Sequence, residues 1–310
     1  MGDWQEKNFT APSYTDGTVP AAAAATITID RANVLTKVPR FLFGNNANLW
    51  MGQYVTEPAL INHINQLQPH IIRFPGGSIS DVFFWNAEKN IKPAGAPIDL
   101  MNAAGEKSPA GFWYGKNTDS WTCSVDNYYS MLQQTGSQGI ITINYGFARY
   151  GTGTNPVADA AHLAADWVRY DKGRTKYWEI GNEHFGDWEA GYRIDLATNK
   201  DGQPEYTTGA LYASHFKVFA DSMRKAANES GATIFIGALM ADAESQPWQT
   251  NTYKTWNSGL FSTINNTADF YVVHSYYTPY NTNSNASEIL NSAEIVSQKM
   301  MAFVKKTMQD

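Results

Sequence analysis

Cysteine is almost absent from this sequence, with Cys123 the only one in 310 residues. A single thiol cannot form an intrachain disulfide, which excludes a small secreted module held together by disulfides. Export itself stays open, because large exported enzymes of bacteria often lack disulfides.

Long apolar runs are missing as well. A membrane-spanning helix needs ~20 consecutive apolar residues, whereas the alanine run at residues 21–25 covers only five positions. The first residues, MGDWQEK, have neither the basic start nor the apolar core of a signal peptide. The sequence therefore predicts no membrane span, and we expect no leader within it.

Charge is scarce and no basic cluster occurs. Charged residues make up 17% of the chain, and the net charge is −6. Nucleic acids require a basic face for their phosphates, so we expect no nucleic-acid partner. Aromatic residues are plentiful, with ten Trp and 17 Tyr. We expect most of these rings in the core, but the remainder suit a carbohydrate ligand, because flat rings stack on sugar faces.

The length allows two average domains or one α/β barrel. Residues 1–25 are rich in Thr, Pro, Gly and Ala without periodicity, which predicts an N-terminal arm or linker. The following segment, TITID at residues 26–30, alternates and predicts a short strand. Residues 26–310 are predicted to form one domain, an incomplete (β/α) barrel.

Beyond residue 40, short apolar runs alternate with amphipathic stretches. The runs predict strands over residues 40–46, 70–77, 139–146, 176–181, 233–240 and 269–277, and the stretches predict helices over 57–68, 125–135, 156–170, 209–230 and 287–308. This rhythm predicts a parallel sheet covered by helices, an α/β fold of the (β/α)8 TIM-barrel type. Only about the first six βα units are present, so we expect strands seven and eight outside this chain.

Polar residues collect at the carboxyl ends of these strands, among them Arg73, Asn144, Asn182, Glu183 and His274. In parallel α/β folds that edge of the sheet binds ligands. A Rossmann fold is disfavoured, because RFPGGSIS contains a proline and no G-x-G-x-x-G turn.

Four segments carry a family resemblance: RFPGGSISDVFFW, NYGFARYGTGTN, YWEIGNEHFGDWEAGY and VVHSYY. In this order they resemble clan A glycoside hydrolases, most of all the α-L-arabinofuranosidases of family 51 and relatives in families 30, 39, 44 and 79. The resemblance covers roughly Phe41 to Tyr277. It implies a secreted or periplasmic enzyme that hydrolyses plant or algal polysaccharide with retention, without metal or cofactor.

The resemblance also implies roles for single residues. Glu183 matches the general acid/base, and Asn182 matches the amide that hydrogen-bonds the hydroxyl next to the anomeric carbon. Arg73 matches the arginine that keeps the nucleophile ionised. The residues expected to line the same pocket are His274, Tyr276, Asn45, Asn46 and Asn144.

The resemblance places the nucleophile, a glutamate, at the end of strand seven. Glu244 follows strand five, and Glu288 and Glu294 lie in the last helix, so none of them fits that place. We therefore expect the nucleophile in the missing C-terminal part of the barrel, and we expect residues 1–310 alone to lack normal hydrolytic activity.

The chemistry of glycoside cleavage supports a two-carboxylate site independently. One carboxyl group protonates the leaving oxygen while a second faces the anomeric carbon. Apolar walls keep the acid protonated by raising its pKa, and the walls expected here are Tyr177, Trp178, Phe185 and Trp188.

Two other residues near Glu183 receive structural interpretations. Glu179, on the same strand, requires a partner, and we expect Arg73 or another basic group. His184 is expected to make a structural hydrogen bond. The His and Glu residues lack the ligand spacing of a metal site.

Two alternatives remain open. One is an endo-β-glycanase of the same clan, such as a xylanase, glucanase or agarase, and the other is a non-catalytic carbohydrate-binding protein on the barrel scaffold. Long insertions at residues 78–124 and 184–208 are expected to decide specificity. The first contains Trp85, Trp113, Tyr114 and Trp121.

Overall fold

A computed structural model describes residues 13, 15–18, 26, 28–34, 37–278 and 282–309. The chain divides into two compact units, Met1–Pro39 and Arg40–Asp310. Most of the predicted arm lies outside the described residues. The strand predicted at residues 26–30 is wrong for the residues described there, which form neither strand nor helix. Instead, the Asp30 side chain accepts a hydrogen bond from the backbone of Ala32 and begins a turn.

The second unit contains all of the regular elements found in the described ranges. The strands are β1 (Gly44–Asn46), β2 (Ile71–Phe74), β3 (Phe83–Phe84), β4 (Asp99–Met101), β5 (Lys107–Pro109), β6 (Trp113–Tyr114), β7 (Gln138–Ile143), β8 (Tyr177–Ile180), β9 (Phe235–Leu239) and β10 (Phe270–Val272). The helices are α1 (Pro58–Leu67), α2 (Val125–Thr135), α3 (Gly146–Tyr150), α4 (Pro156–Asp171), α5 (Gly209–Ser230), α6 (Asn251–Ile264) and α7 (Ala286–Gln309).

Six strands form one parallel sheet in the order β1-β2-β7-β8-β9-β10. This sheet curls into half a barrel, which confirms the predicted α/β class and the parallel arrangement. The insertion at residues 78–124 adds two small sheets, β3 with β6 and β4 with β5. The number of βα units in the complete fold stays a prediction.

Most helix boundaries follow from their caps. The side chains of Ser124, Asn155, Thr208 and Thr250 each accept a hydrogen bond from a backbone N–H in the first turn of α2, α4, α5 and α6. Helices α2 and α5 have the predicted boundaries. Helix α1 begins at Pro58 after an N-cap at Glu57, one residue later than predicted. Helix α6 was not predicted from the sequence. None of the helices in the described ranges is long and apolar enough to cross a membrane.

The two faces of the curled sheet differ in chemistry. Ile72, Ile141 and Trp178 are buried, and the Trp178 ring lies edge-on against Trp167 of α4. Side chains alternate along a strand, so the opposite face of β2 and β8 presents Arg73 and Glu179. The helix-covered face is therefore the apolar core, and the concave face is polar.

Candidate active site

A cavity of about 560 Å³ opens at the carboxyl ends of the strands. It lies where β1, β2, β8 and β10 end, which is the edge at which the sequence predicted a ligand site. Its lining includes six of the eight predicted site residues: Asn46, Arg73, Asn182, Glu183, His274 and Tyr276. Further lining residues are Asn48, Trp50, Gly76, Gly77, Ser78 and Ser275.

Glu183 lies just beyond β8 and enters the cavity through an unusual backbone turn. Gly181 has φ +82° and Glu183 has φ +45°, a conformation that costs a non-glycine residue on the order of 1–3 kcal/mol. The carboxylate contacts His274, with Nδ1 to Oε1 at 2.7 Å, and accepts a hydrogen bond of 3.1 Å from the Trp188 indole. A strained turn thus places this carboxylate within hydrogen-bonding distance of His274 and Trp188.

The pKa of Glu183 is lowered, not raised as expected. Burial raises this pKa, but the hydrogen bond and charge of His274, the Trp188 hydrogen bond and the charge of Arg73 outweigh burial. Of the four residues that were expected to form apolar walls around Glu183, three lie elsewhere. Trp178 and Phe185 pack against Trp167 and Trp256 in the core, and Tyr177 stacks on Phe235; only Trp188 contacts Glu183.

Arg73 connects the strand ends beneath the cavity. Its Nε donates to Glu179 Oε2 at 2.7 Å, and its Nη2 donates to Asn182 Oδ1 at 3.0 Å. Thr142 Oγ1 donates to the same Glu179 oxygen at 2.9 Å. The structural ion pair expected for Glu179 is confirmed, and Arg73 is the partner.

Asn182 lies between a donor and an acceptor. Its Oδ1 accepts from Arg73, and its Nδ2 donates to Glu189 Oε1 at 2.8 Å. A guanidinium can only donate, so the amide oxygen must face Arg73 and the amide nitrogen must face Glu189. The orientation of Asn182 is therefore fixed by its neighbours.

Two predicted pocket residues lie elsewhere. Asn45 precedes Asn46 on β1, and because side chains alternate along a strand only Asn46 lines the cavity. Asn144 is buried, accepts a hydrogen bond from the Phe147 backbone at the start of α3, and donates to Phe83 O. Its place at a strand end serves a local helix start, so the prediction that it lines the cavity is corrected here.

His184 is fully buried and makes the expected structural contact, between Nε2 and Ala190 O at 3.2 Å. Burial lowers its pKa to about 3, so the ring is neutral at physiological pH.

Sequence reasoning missed a second polar group, formed by Ser78, Asp81 and Glu189. Ser78 Oγ donates to Glu189 Oε1 at 2.8 Å, and Asp81 Oδ2 lies 3.6 Å from His184 Nδ1. Both carboxyl residues stand inside the quoted motifs, but nothing in their spacing pairs residues more than a hundred positions apart. Within the described residues, no group of three or more His, Cys, Asp or Glu side chains is arranged to hold a metal ion.

The model of one protein family, the alpha-L-arabinofuranosidase 1 domain, matches residues 63–294, more than half of the chain. The chain belongs to this family. The match includes Arg73, Asn182, Glu183, His274 and Tyr276, and it confirms the resemblance drawn from the sequence motifs. The comparison with curated proteins found no match.

A solved structure shows the same fold for this arabinofuranosidase-like glycoside hydrolase domain. AbfB, a family 51 α-L-arabinofuranosidase from Bifidobacterium longum, superposes with a TM-score of 0.55 at 19% identity, over 89% of this chain and 52% of that one. The GH51 arabinofuranosidase from Xanthomonas axonopodis pv. citri gives 0.47 at 17% identity, over 88% and 55%. The chain thus spans about half the length of these structures.

Proposed function

We propose that this chain carries the acid/base half of a retaining α-L-arabinofuranosidase, with Glu183 as the general acid/base. One observation carries the proposal: Glu183 reaches the polar cavity at the strand ends, with His274 and Trp188 holding its two oxygens. The family supports a carbohydrate substrate, and the concave polar surface supports binding of a sugar ring.

In the proposed reaction Glu183 protonates the glycosidic oxygen as the bond to the anomeric carbon breaks. The 2.7 Å contact with His274 holds one oxygen of the Glu183 carboxyl group in place at the cavity. Nδ2 of Asn182 carries two protons, of which Glu189 accepts one. The second is available to the hydroxyl next to the anomeric carbon, where binding strengthens as positive charge develops on the ring.

A second carboxylate is required opposite Glu183. Among the described residues that line the cavity, Glu183 is the only carboxylate. Glu189 lies behind Asn182. Asp242 forms a hydrogen bond with Ser275, but Asp242 itself is not among the residues that line the cavity. We therefore propose that the nucleophile is supplied by polypeptide other than residues 40–310, in a completed barrel.

The first prediction concerns the chain by itself. Residues 1–310 should bind p-nitrophenyl α-L-arabinofuranoside but not hydrolyse it, because no nucleophile faces the anomeric carbon. Calorimetry would measure binding, and release of p-nitrophenol would measure turnover. Multiple turnovers by this chain would contradict the proposal, and loss of binding in Asn182→Ala is the control that locates the sugar in this cavity.

A specific observation favours the endo-β-glycanase as the second candidate. Trp50 lines the cavity, its ring lies 5.9 Å from Trp113, and Trp113 lies 5.9 Å from Trp121. Trp50 is 55% exposed and Trp121 is 44% exposed. Together these three residues form an aromatic strip that runs outward from the cavity, as an extended sugar chain requires.

The second prediction separates the two candidates. If the strip binds a polymer, Trp50→Ala and Trp121→Ala should weaken binding of xylo-, cello- or agaro-oligosaccharides by roughly tenfold per lost stacking ring, about 1–1.5 kcal/mol. Binding of p-nitrophenyl α-L-arabinofuranoside should change little in Trp121→Ala. Trp248→Ala removes an 80% exposed ring outside the cavity lining and serves as the control. No effect of Trp121→Ala on any oligosaccharide would leave the arabinofuranosidase proposal as the better one.

A further inference from the structure

Two carboxyl groups meet behind Asn182, on the side away from Arg73. Asp81 belongs to the short 3-10 helix Ser78–Val82, and Glu189 lies in the segment after β8. Asp81 is fully buried and Glu189 is 3% exposed. Glu189 Oε1 accepts hydrogen bonds of 2.8 Å from both Ser78 and Asn182. Both oxygens of Asp81, and Oε2 of Glu189, have no donor at normal hydrogen-bond distance among the described residues. The backbone of Gly146 and of Asn182 makes only weaker contacts with Asp81.

Among the residues that the structure describes, no cation compensates this pair. The His184 ring, 3.6 Å from Asp81, is neutral because burial lowers its pKa to about 3. The Arg73 guanidinium contacts the far end of Asn182, and Arg149 of α3 points to Gln203 and to backbone carbonyl groups. The remaining charged neighbour is Glu183, which is negative and acts on Glu189 through its charge. Two adjacent buried carboxylates without a cation cannot both ionise.

We propose that Asp81 and Glu189 share a proton and act as a positioning pair that holds the Asn182 amide for the sugar. The shared proton lies between Asp81 and Glu189 Oε2, which leaves Glu189 Oε1 free to accept from Asn182 and Ser78. The catalytic contact belongs to Asn182, and the pair acts through it. This inference rests on the proposed function for the identity of the ligand, but the shared proton does not depend on it.

The geometry explains why a proton is needed. Arg73 and Glu189 form hydrogen bonds with opposite ends of the Asn182 side-chain amide. If that amide rotated by half a turn, its Nδ2 donor would face the Arg73 guanidinium, which is also a donor. If Glu189 carried its proton on Oε1, that oxygen would present a donor to Nδ2, and the hydrogen bond between Asn182 and Glu189 would be lost. A proton supplied from Asp81 keeps Oε1 an acceptor and satisfies oxygens that otherwise have no partner.

Protonation of the pair changes near neutral pH. Burial raises the pKa of Glu189 to about 7, although the Ser78 and Asn182 hydrogen bonds lower it in part. Burial and the neighbouring Glu189 charge raise the pKa of Asp81 well above its usual range, against weaker backbone contacts with Gly146 and Asn182. Above about pH 7 the pair therefore holds one proton, and below it Glu189 takes up another.

The direct test is a pH titration by ¹³C NMR. It uses the chain of residues 1–310, labelled with ¹³C at its Asp and Glu carboxyl carbons. The resonance lost in Glu189→Gln should titrate near pH 7, and the resonance lost in Asp81→Asn should stay protonated through neutral pH. In Asp81→Ala the Glu189 midpoint should rise, because the hydrogen bond from Asp81 that lowers the pKa of Glu189 is gone. Titration of Glu189 near its ordinary value of 4.5 would overturn the shared proton.

The stability of the chain gives a second readout of the same proton. A carboxyl group with a raised folded pKa contributes stability that is complete below its unfolded pKa and is lost as pH rises through its folded pKa. The wild-type chain should therefore lose stability between pH 4.5 and 7 relative to Glu189→Gln. Buried His184 and His215 act in the opposite direction as pH falls, but they are common to both proteins and cancel in the difference. If the free energy of unfolding varied with pH in the same way in the wild type and in Glu189→Gln, the result would contradict the proposal.

The positioning role needs the active form of the enzyme and a matched control. Glu189→Ala should lower kcat about 10²-fold, because a misplaced contact of about 1 Å costs that much. Glu189→Gln should restore most of it, since its Oε1 accepts from Asn182 while its nitrogen donates to Asp81. Asp171→Asn alters a buried carboxyl at the end of α4 that accepts from Thr175, and should change stability without changing kcat or KM.

The results of these tests separate the two proposals. Equal kcat in Glu189→Ala and Glu189→Gln would overturn the positioning role. A shared proton in a chain that binds no sugar would instead overturn the proposed function, while leaving the pair in place.

Discussion

Glu183→Gln in the active enzyme should reduce cleavage of natural arabinosides and other poor leaving groups by about 10²–10⁴-fold. The glutamine keeps the size of the side chain and can still accept from Trp188, but it cannot deliver a proton to the leaving oxygen. An aryl glycoside with p-nitrophenol as leaving group should lose much less in its first step, because that group departs without protonation. The measurement is kcat/KM across substrates graded by leaving-group pKa.

The matched control is Glu244→Gln. Glu244 is an exposed carboxylate on another surface, where it pairs with Lys306, and its substitution should leave every substrate unaffected. Added azide should restore turnover of the activated glycoside in Glu183→Gln by replacing the water that Glu183 no longer activates as a base. Undiminished cleavage of poor leaving groups by Glu183→Gln would show that another residue is the acid.

The lowered pKa of Glu183 bears on how the acid works. His274, Trp188 and Arg73 favour the ionised form more strongly than burial opposes it. A general acid at neutral pH needs the opposite shift, and like-charge repulsion from a nucleophile across the cavity would supply it. We therefore expect the pKa of Glu183 to be higher in a completed two-carboxylate site than in residues 40–310 by themselves.

The sequence predicted the elements whose signals are local. Helices α2 and α5 end at Gly136 and Gly231, both with positive φ, and begin at hydroxyl caps, so their boundaries followed from neighbouring residues. The strand at residues 26–30 failed because alternation alone does not supply a pairing partner. Helix α6 was missed although Thr250 caps it, since its exposed face weakens the apolar periodicity.

The residues of the site also differ in whether a local signal in the sequence predicts their position. Asn182, Glu183, Arg73 and His274 follow strand ends, so the parallel sheet alone brings them together. Asn144 also follows a strand, but its amide serves the start of α3. The Asp81–Glu189 pair could not be predicted, because it depends on where two insertions fold back on each other.

Arg73→Met should give the largest loss of stability among the substitutions considered. Arg73 and Glu179 have side chains only 15% and 5% exposed, and removing the arginine leaves a buried carboxylate with Thr142 as its remaining hydrogen-bond partner. Breaking a buried ion pair in this way costs about 3–5 kcal/mol of the free energy of unfolding. Urea unfolding of the chain at neutral pH would measure the loss.

Two comparisons make the Arg73 result specific. Arg73→Met/Glu179→Met should recover most of the lost stability, since two apolar side chains of similar volume can replace a buried ion pair. Arg169→Met breaks ion pairs with Asp166 and Glu229 at the surface and should cost far less, because solvent screens exposed pairs. An Arg73→Met chain as stable as the wild type would mean that Arg73 serves Asn182 and the substrate, and that Thr142 alone suffices for Glu179.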